Sequence, residues 1–327
     1  MEKRKQIKKI LYTSVVVILV LVMMFSGLRL LESTVLSPEV PEQPTATRKT
    51  ITRNGVDYFP RQDITVMLVM GIDQYGPIEA SDSYNNPGAA DMVALLIFDE
   101  KNQTIDALAL NRDTMLEMPV LGIGGREAGT FFGQLALSHT YGTGLEDSCE
   151  NVRKTVSNLL YGIRVDYYVA MNMDAISILN DAVGGVTVTV EDDFSAIDST
   201  IGTGEVTLRG EQALNFVRTR KDVGNQLNIS RMDRQKQYIE SFVTSFRNSL
   251  NGEESFILKT YETVAPYVLS DCSINTLSNM LSRYSAYTIN RIVTPEGENI
   301  LGDTYYEFYL DEEKLDPLIL DLFYAPK

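Results

Sequence analysis

The chain has 327 residues, 44% of them apolar, enough to bury one large core or two modest ones. Its formal net charge of −15 excludes nucleic-acid binding through a general positive field, which depends on many Lys and Arg side chains neutralising phosphates. A single histidine and two cysteines, Cys149 and Cys272, exclude a histidine-based zinc site and a disulfide framework, and leave one bridge or two free thiols open.

The chain begins with "MEKRKQIKK", five cations against one acid; without that +4 the remainder stands near −19. Ile10 to Leu28 then runs 19 residues without a charge. As a helix that stretch rises about 28 Å, close to the thickness of a bilayer core. The basic flank precedes the apolar run, which predicts a cytoplasmic N-terminus and an extracytoplasmic remainder. A cleaved signal peptide would have a shorter apolar region and a small-x-small site, and no such site precedes Arg29. The expectation is therefore a basic tail over 1–9 and a retained transmembrane helix over 10–31. Residues 32–61 carry Pro38, Pro41 and Pro44 and read as an extended stem, closed by a short hairpin at Asn54-Gly55.

The globular part reads as one α/β domain over 62–251 with an extension over 252–327 packed on it. "ITVMLVMGID" predicts a buried strand ending at Gly71. "DMVALLIFDEKNQTIDALALNRD" predicts two more, joined by a polar turn at Lys101-Asn102. "LEDSCENVRKTVSNLLYGI" has helical periodicity and stops at Gly162. "RVDYYVAMN" is a strand, "MDAISILNDAVGG" a helix closed by two glycines, and "VTVTV" a strand. "RGEQALNFVRTR", "SRMDRQKQYIESFVTSFRNSL", "ILKTYETVAPYVL" and "SINTLSNMLSRYS" read as helices. A last β-type stretch precedes a closing helix near Leu318. Strands interleaved with helices predict a layered α-β-α fold, with a central mixed sheet flanked by helices. Strand order does not follow from the pattern.

Two features carry chemistry. "FVRTRKDVGNQLNISRMDRQKQ" crowds Arg218, Arg220, Lys221, Arg231, Arg234 and Lys236 into an acidic chain. Read as helix, loop, helix, it places Arg218 and Arg220 at one helix end, and Arg231, Arg234 and Gln235 on one face near the start of the next. Guanidinium forks around a helix N-terminus suit phosphate. The acids Asp73, Asp91 and Asp113 each sit at a strand end. If they share one rim of the sheet, they could hold a hard cation such as Mg²⁺, which keeps waters and borrows phosphate oxygens.

In combination these stretches resemble the LytR-CpsA-Psr family of membrane-anchored cell-wall proteins, from about Asp63 to Leu250. "MGIDQYGPIEASDSYNNPGAADMVALLIFD" is similar to the family's strand, GID-type turn, long loop and R-S-D motif. "LALNRDTML" resembles its S-I-P-R-D-T motif, and "VDYYVAMNMDAISILNDAVGGVTVTV" a structural hallmark of the fold. "GEQALNFVRTR" and "SRMDRQKQ" match its closing arginine motifs. The resemblance implies that Asp73 and Asp91 bind Mg²⁺ (or Mn²⁺) and that both act with Arg112 in catalysis. It also implies that Arg112, Arg218, Arg220, Arg231 and Gln235 bind a pyrophosphate. The implied activity is transfer of a glycopolymer from a membrane polyprenyl-pyrophosphate carrier to peptidoglycan, with no nucleic-acid partner. Two other activities fit the same residues: a non-catalytic polyprenyl-phosphate or wall-polymer binder, and a hydrolase that releases the glycan to water.

The sequence departs from the family pattern in places. Ala89 and Ala90 stand where R-S would precede Asp91, so one phosphate-binding arginine is missing. Asn111 replaces a proline, and Asn228 stands where an acid is expected. Arg126, in the glycine-rich "GIGGREAG" stretch, is the candidate to replace the lost arginine, with that stretch read as a mobile lip of the site.

Overall fold

The computed structural model describes residues 50–327 apart from 123, 220–222, 224–233, 235–236, 239, 243, 247, 250–255, 274–275, 277–278, 281–282, 285–286 and 303–304. The apolar run 10–28 lies outside the described residues, as do Arg220, Lys221, Arg231, Gln235 and Lys236. Among the described residues no helix is long and apolar enough to cross a membrane.

A hairpin of β1 (Ile51–Arg53) and β2 (Val56–Pro60) turns at Asn54 and Gly55, whose φ angles of 51° and 77° suit an Asn-Gly pair. Three apolar strands follow, β3 (Ile64–Ile72), β4 (Ala90–Asp99) and β5 (Thr104–Leu110). The second hairpin is β6 (Met115–Leu121) with β7 (Glu127–Gln134), and it leads through a 3-10 turn at Leu135–His139 to α1 (Glu146–Leu159). Next come β8 (Tyr167–Asn172), α2 (Asp174–Ala182), the hairpin β9 (Val186–Val190) with β10 (Gly204–Leu208), and α3 (Glu211–Arg218). The chain closes with α4 (Phe256–Val264), β11 (Val268–Ser270), β12 (Thr288–Val293), the hairpin β13 (Gly297–Leu301) with β14 (Tyr306–Leu310), α5 (Glu312–Phe323) and β15 (Tyr324–Pro326).

The central sheet is mixed and runs β11-β8-β3-β4-β5-β12. β3 lies at its middle, parallel to β8 and antiparallel to β4, and its residues from Val66 to Met70 are all buried. That is why it reads as an unbroken apolar run rather than an alternating one. Alternate residues serve opposite faces. Val66, Leu68 and Met70 pack with Val152 and Val156 of α1 and with Ile319 and Phe323 of α5. Met67 and Val69 pack with Leu96, Phe98, Met280 and Tyr284, and the rings of Phe98 and Tyr284 stack at 4.6 Å. A third cluster joins α2, α3 and the β9–β10 hairpin to Phe194, Tyr238, Phe242 and Phe246. Helices therefore cover both faces of a mixed sheet.

Three local expectations change. "ILKTYETVAPYVL" is helical only to Val264, because Pro266 cannot continue the helix, and Val268–Ser270 then pairs with β8 as an edge strand. "GIGGREAG" is the turn of the β6–β7 hairpin and the start of β7, with Gly124 and Gly125 at φ 76° and 67°. The open bridge does not form: Cys149 and Cys272 are free thiols buried in clusters on opposite faces of the sheet.

Candidate active site

The sheet's pairing puts the first ion pair together. β3 and β4 pair Gly71 with Met92 and then Ile72 with Ala90, so Asp91 is the extra residue of a β-bulge. A bulge re-aims the side chain it carries and is frequent beside active sites. On its other edge β4 pairs Val93 with Leu110 of β5. Two residues further along that register Arg112 comes opposite Asp91, and its guanidinium donates Nη1–H to Asp91 Oδ1.

The second pair lies beside the first. Asp73 follows β3 directly, and its N–H donates to Ala89 O at 2.9 Å, which closes the base of the 73–91 loop. Arg218, the last residue of α3, donates Nη2–H to Asp73 Oδ1 at 2.9 Å. Its Nη1–H donates to Tyr75 Oη, and its guanidinium lies 5.5 Å from the centre of the Tyr75 ring. Both arginines are partly exposed, so the cluster opens to solvent.

The charges of the two pairs reach each other. Burial pushes the Asp91 carboxyl above its usual range; Arg112 opposes this, and the nearby charge of Asp73 adds to it. Two neighbouring hard carboxylates, one disfavoured in its charged form, make a donor set that fits a Mg²⁺-type cation completed by water and phosphate oxygens. Asp113 does not join them. It accepts from Gln134 Nε2 at 3.0 Å and lies 3.4 Å from Arg112 Nε as an ion pair. Among the described residues no three carboxylate, histidine or cysteine side chains form a metal-sized group, so the rim of three becomes a pair.

The arginine cluster separates as well. Arg218 is in the site, whereas Arg234 is buried away from it, donating to Phe216 O and Thr219 O at the end of α3 and to Asp192 Oδ2 at 2.7 Å. Arg218 and Arg234, the two of the six cations that are described, therefore do not face one ligand. Arg126 cannot replace the missing arginine either. It is exposed at the far end of the β6–β7 hairpin, six strand steps or about 20 Å from the Met115 end that adjoins Arg112. Ala89 itself is half-buried against the loop base.

The sequence reading missed the residues that hold the loop. Asn86, buried, donates from Nδ2 to His139 O at 2.8 Å and to Gly142 O and Ser148 Oγ at 3.1 Å, and accepts from Gly88 N–H at 2.8 Å. His139 Nδ1 lies 2.7 Å from Gly88 O, while burial lowers the imidazole's pKa and favours the neutral ring that donates here. A Cβ on Gly88 would meet Gln74 Cγ and Ile72 Cγ2 at 2.9 Å, so this position has room for glycine alone. The one available signal was compositional: His139 is the chain's single histidine.

The fold defines an α-β-α layered protein with an acid–arginine cluster at one end of its central sheet. Solved structures share that architecture: protein gbs0355 from Streptococcus agalactiae is 25% identical with a TM-score of 0.61, over 80% of this chain and 86% of that one. TagV of B. subtilis is 25% identical with a TM-score of 0.57, over 80% of this chain and 96% of that one. The chain belongs to the LytR_cpsA_psr family, whose model matches residues 37–320. A Bacillus licheniformis relative, 26% identical over 98% of this chain and 97% of its own length, is named polyisoprenyl-teichoic acid–peptidoglycan teichoic acid transferase TagU.

Proposed function

We propose that this protein is a membrane-anchored transferase that moves a glycopolymer from a polyprenyl-pyrophosphate carrier to peptidoglycan. Residues 10–31 serve as the anchor, with the domain on the outer side. The observation that carries the reading is the pair of adjacent Arg–Asp contacts, Arg112 with Asp91 and Arg218 with Asp73, on partly exposed side chains at one end of the sheet. In the free protein each arginine is neutralised by a carboxylate. A pyrophosphate entering between them takes N–H donors from both guanidiniums, while Asp73 and Asp91 would hold a divalent cation, whose charge would offset the carboxylates.

A sugar hydroxyl then forms the new P–O bond to the phosphorus that bears the polymer. Polyprenyl phosphate leaves with the bridging oxygen, and the hydroxyl proton passes to solvent. Phosphoryl transfer of this kind rests on positioning and charge stabilisation, for which a cluster fixed by a bulge and a helix end is suited. Arg220, Arg231 and Gln235 are proposed as further pyrophosphate ligands by their motif positions.

The test uses the full-length protein in micelles with a polyprenyl-pyrophosphate-linked saccharide, Mg²⁺ and peptidoglycan fragments, following polyprenyl phosphate release. Each charged hydrogen bond is worth about 1.5–3 kcal/mol, so Arg112→Ala and Arg218→Ala should each slow release by about one to two decades. Wild-type rates in both variants would sink the assignment. Tight binding without release would favour the non-catalytic reading, which the uncompensated Ala89 supports. Release that ignores the peptidoglycan acceptor would favour the hydrolase.

A further inference from the structure

Tyr75 is an exposed aromatic residue on a fixed backbone. It is 53% exposed, yet the peptides on either side of it are tied down. Met173 N–H donates to Gln74 O at 2.9 Å, and Gly76 N–H donates to the carboxylate of Asp174, the first residue of α2. Asn172, buried at the end of β8, donates from Nδ2 to Gly76 O. Gly76 takes φ 79°, a left-handed conformation that glycine adopts at little cost, and the chain turns there. Two residues on, Ile78 N–H donates to Pro266 O at 2.7 Å. A surface tyrosine needs no such support to stay in water. A phenol that must meet a reacting group does, because a positioned group works only when its own supports are fixed.

The hydrogen bonding of this phenol leaves its own proton unused. Arg218 donates Nη1–H to Tyr75 Oη and Nη2–H to Asp73 Oδ1. A guanidinium has donors only, so the hydroxyl hydrogen cannot return to Arg218, and among the described residues no other group bonds Tyr75 Oη. Arg218 in turn has Nε–H and a second N–H on each Nη beyond those two bonds. The Tyr75 O–H and these N–H groups therefore stand together beside Asp73 as one set of donors. A hydroxyl that accepts an N–H bond from a cation is polarised by it and donates more strongly.

We propose that Tyr75 is a further catalytic residue, whose hydroxyl donates a hydrogen bond to a non-bridging oxygen of the phosphate that Arg218 binds. The proton stays on the phenol, and no bond to Tyr75 forms or breaks. Negative charge shifts among the phosphate oxygens as the pyrophosphate bond breaks, and a donor fixed in advance stabilises it without reorganising. The catalytic part of this role rests on the transferase reading; the contact between hydroxyl and phosphate does not require turnover.

The test removes one oxygen. Tyr75→Phe keeps the ring, and the backbone bonds that hold it come from other residues. Calorimetric titration of the full-length protein, in micelles, with inorganic pyrophosphate and Mg²⁺ reads the contact. A lost hydrogen bond to a charged group should raise Kd about tenfold in Tyr75→Phe. An equal Kd overturns the proposal. The same change is then made in Arg218→Ala, which separates a direct contact from one that works through the arginine. A phenol that itself touches phosphate raises Kd several-fold there too. No further change in that background overturns the proposal and leaves Tyr75 as a residue that only holds Arg218. Release of polyprenyl phosphate, followed in the same protein, keeps this inference apart from the transferase reading. Its kcat/KM should fall about tenfold in Tyr75→Phe, the same lost bond felt at the reacting phosphate. Release by wild type that Tyr75→Phe matches overturns this inference only. A raised pyrophosphate Kd in Tyr75→Phe, with no release by wild type, overturns the transferase reading and leaves the contact standing.

Discussion

Arg234 differs from Arg218 only in what surrounds it, and that decides what each can do. The last carbonyls of a helix have no partner within it, and Arg234 supplies two of them for α3, Phe216 O and Thr219 O, while pairing with Asp192. Its guanidinium also lies 5.3 Å from the Phe194 ring, inside the third core cluster. Arg234→Met should therefore cost about 3 kcal/mol of stability, the low end for breaking a buried pair because Asp192 keeps some access to water. Urea denaturation would read it, and a loss below about 1 kcal/mol would place the arginine at the surface. From sequence both residues belonged to one basic run. Spacing on a helix cannot separate an arginine that completes a helix end from one that faces a ligand, since both lie near that end. Asp91 shows the converse: its type and place were legible, but the bulge that aims it is a register event between β3 and β4 that neither strand records alone.

At the scale of elements, the connection from β3 to β4 spans the site's two carboxylates, and Asn86 holds it with four hydrogen bonds. Asn86→Ala would leave the carbonyls of His139 and Gly142, the Ser148 hydroxyl and the Gly88 N–H short of a partner in a buried setting. At about 1–3 kcal/mol for an unsatisfied buried group, partly relieved by shared bonding, a loss of about 3 kcal/mol is expected. Turnover should fall further than binding, because Gly88 leads directly to Asp91. Hydrogen exchange that leaves the Ser81, Asn86 and Gly88 amides as protected as in wild type would refute this. Apolar elements with a clear period were legible: β3, β4, β5, β8 and α1 all follow from their residues. The β6–β7 hairpin was not, since "EAGTFFGQ" carries two glycines and is exposed almost throughout, so it shows neither a buried run nor a one-sided alternation. A Cβ on Gly133 would meet the Phe131 ring at 2.4 Å, so a larger residue there would displace that ring. That ring is also tilted against Tyr141, with centroids 5.9 Å apart.

At the scale of the whole folded domain, its first hairpin and its last strand meet. β15 pairs with β2, Arg61 N–H donates to Phe323 O at 2.9 Å, and Leu315, Ile319 and Phe323 of α5 fill the same cluster as β3. At this junction Arg61 bonds Asp63 at 2.9 Å and Asp99 at 2.7 Å, fastening the start of β3 to the end of β4. The Arg61 hydrogen bond holds the Asp63 carboxyl below its usual range. For Asp99, burial acts to raise the carboxyl, but hydrogen bonds from Arg61 and Asn102 outweigh it and the net direction is downward. A carboxylate depressed by folding contributes stability that is fully present above its unfolded pKa, near 4, and is lost as pH falls through the lower folded value. The junction should therefore hold from neutral pH down to about 4 and weaken below it. Asp271, raised by burial despite Arg153, acts in the opposite sense: its charging disfavours the fold as pH rises through its folded value. Thermal midpoints measured from pH 7 to pH 2 should show a descending limb below pH 4. Arg61→Met should flatten that limb while lowering the midpoint at pH 7, because the two acids then lose the partner that depressed them. An unchanged acid limb in Arg61→Met would mean that the loss of stability in acid arises elsewhere in the acidic chain and not where its ends are joined.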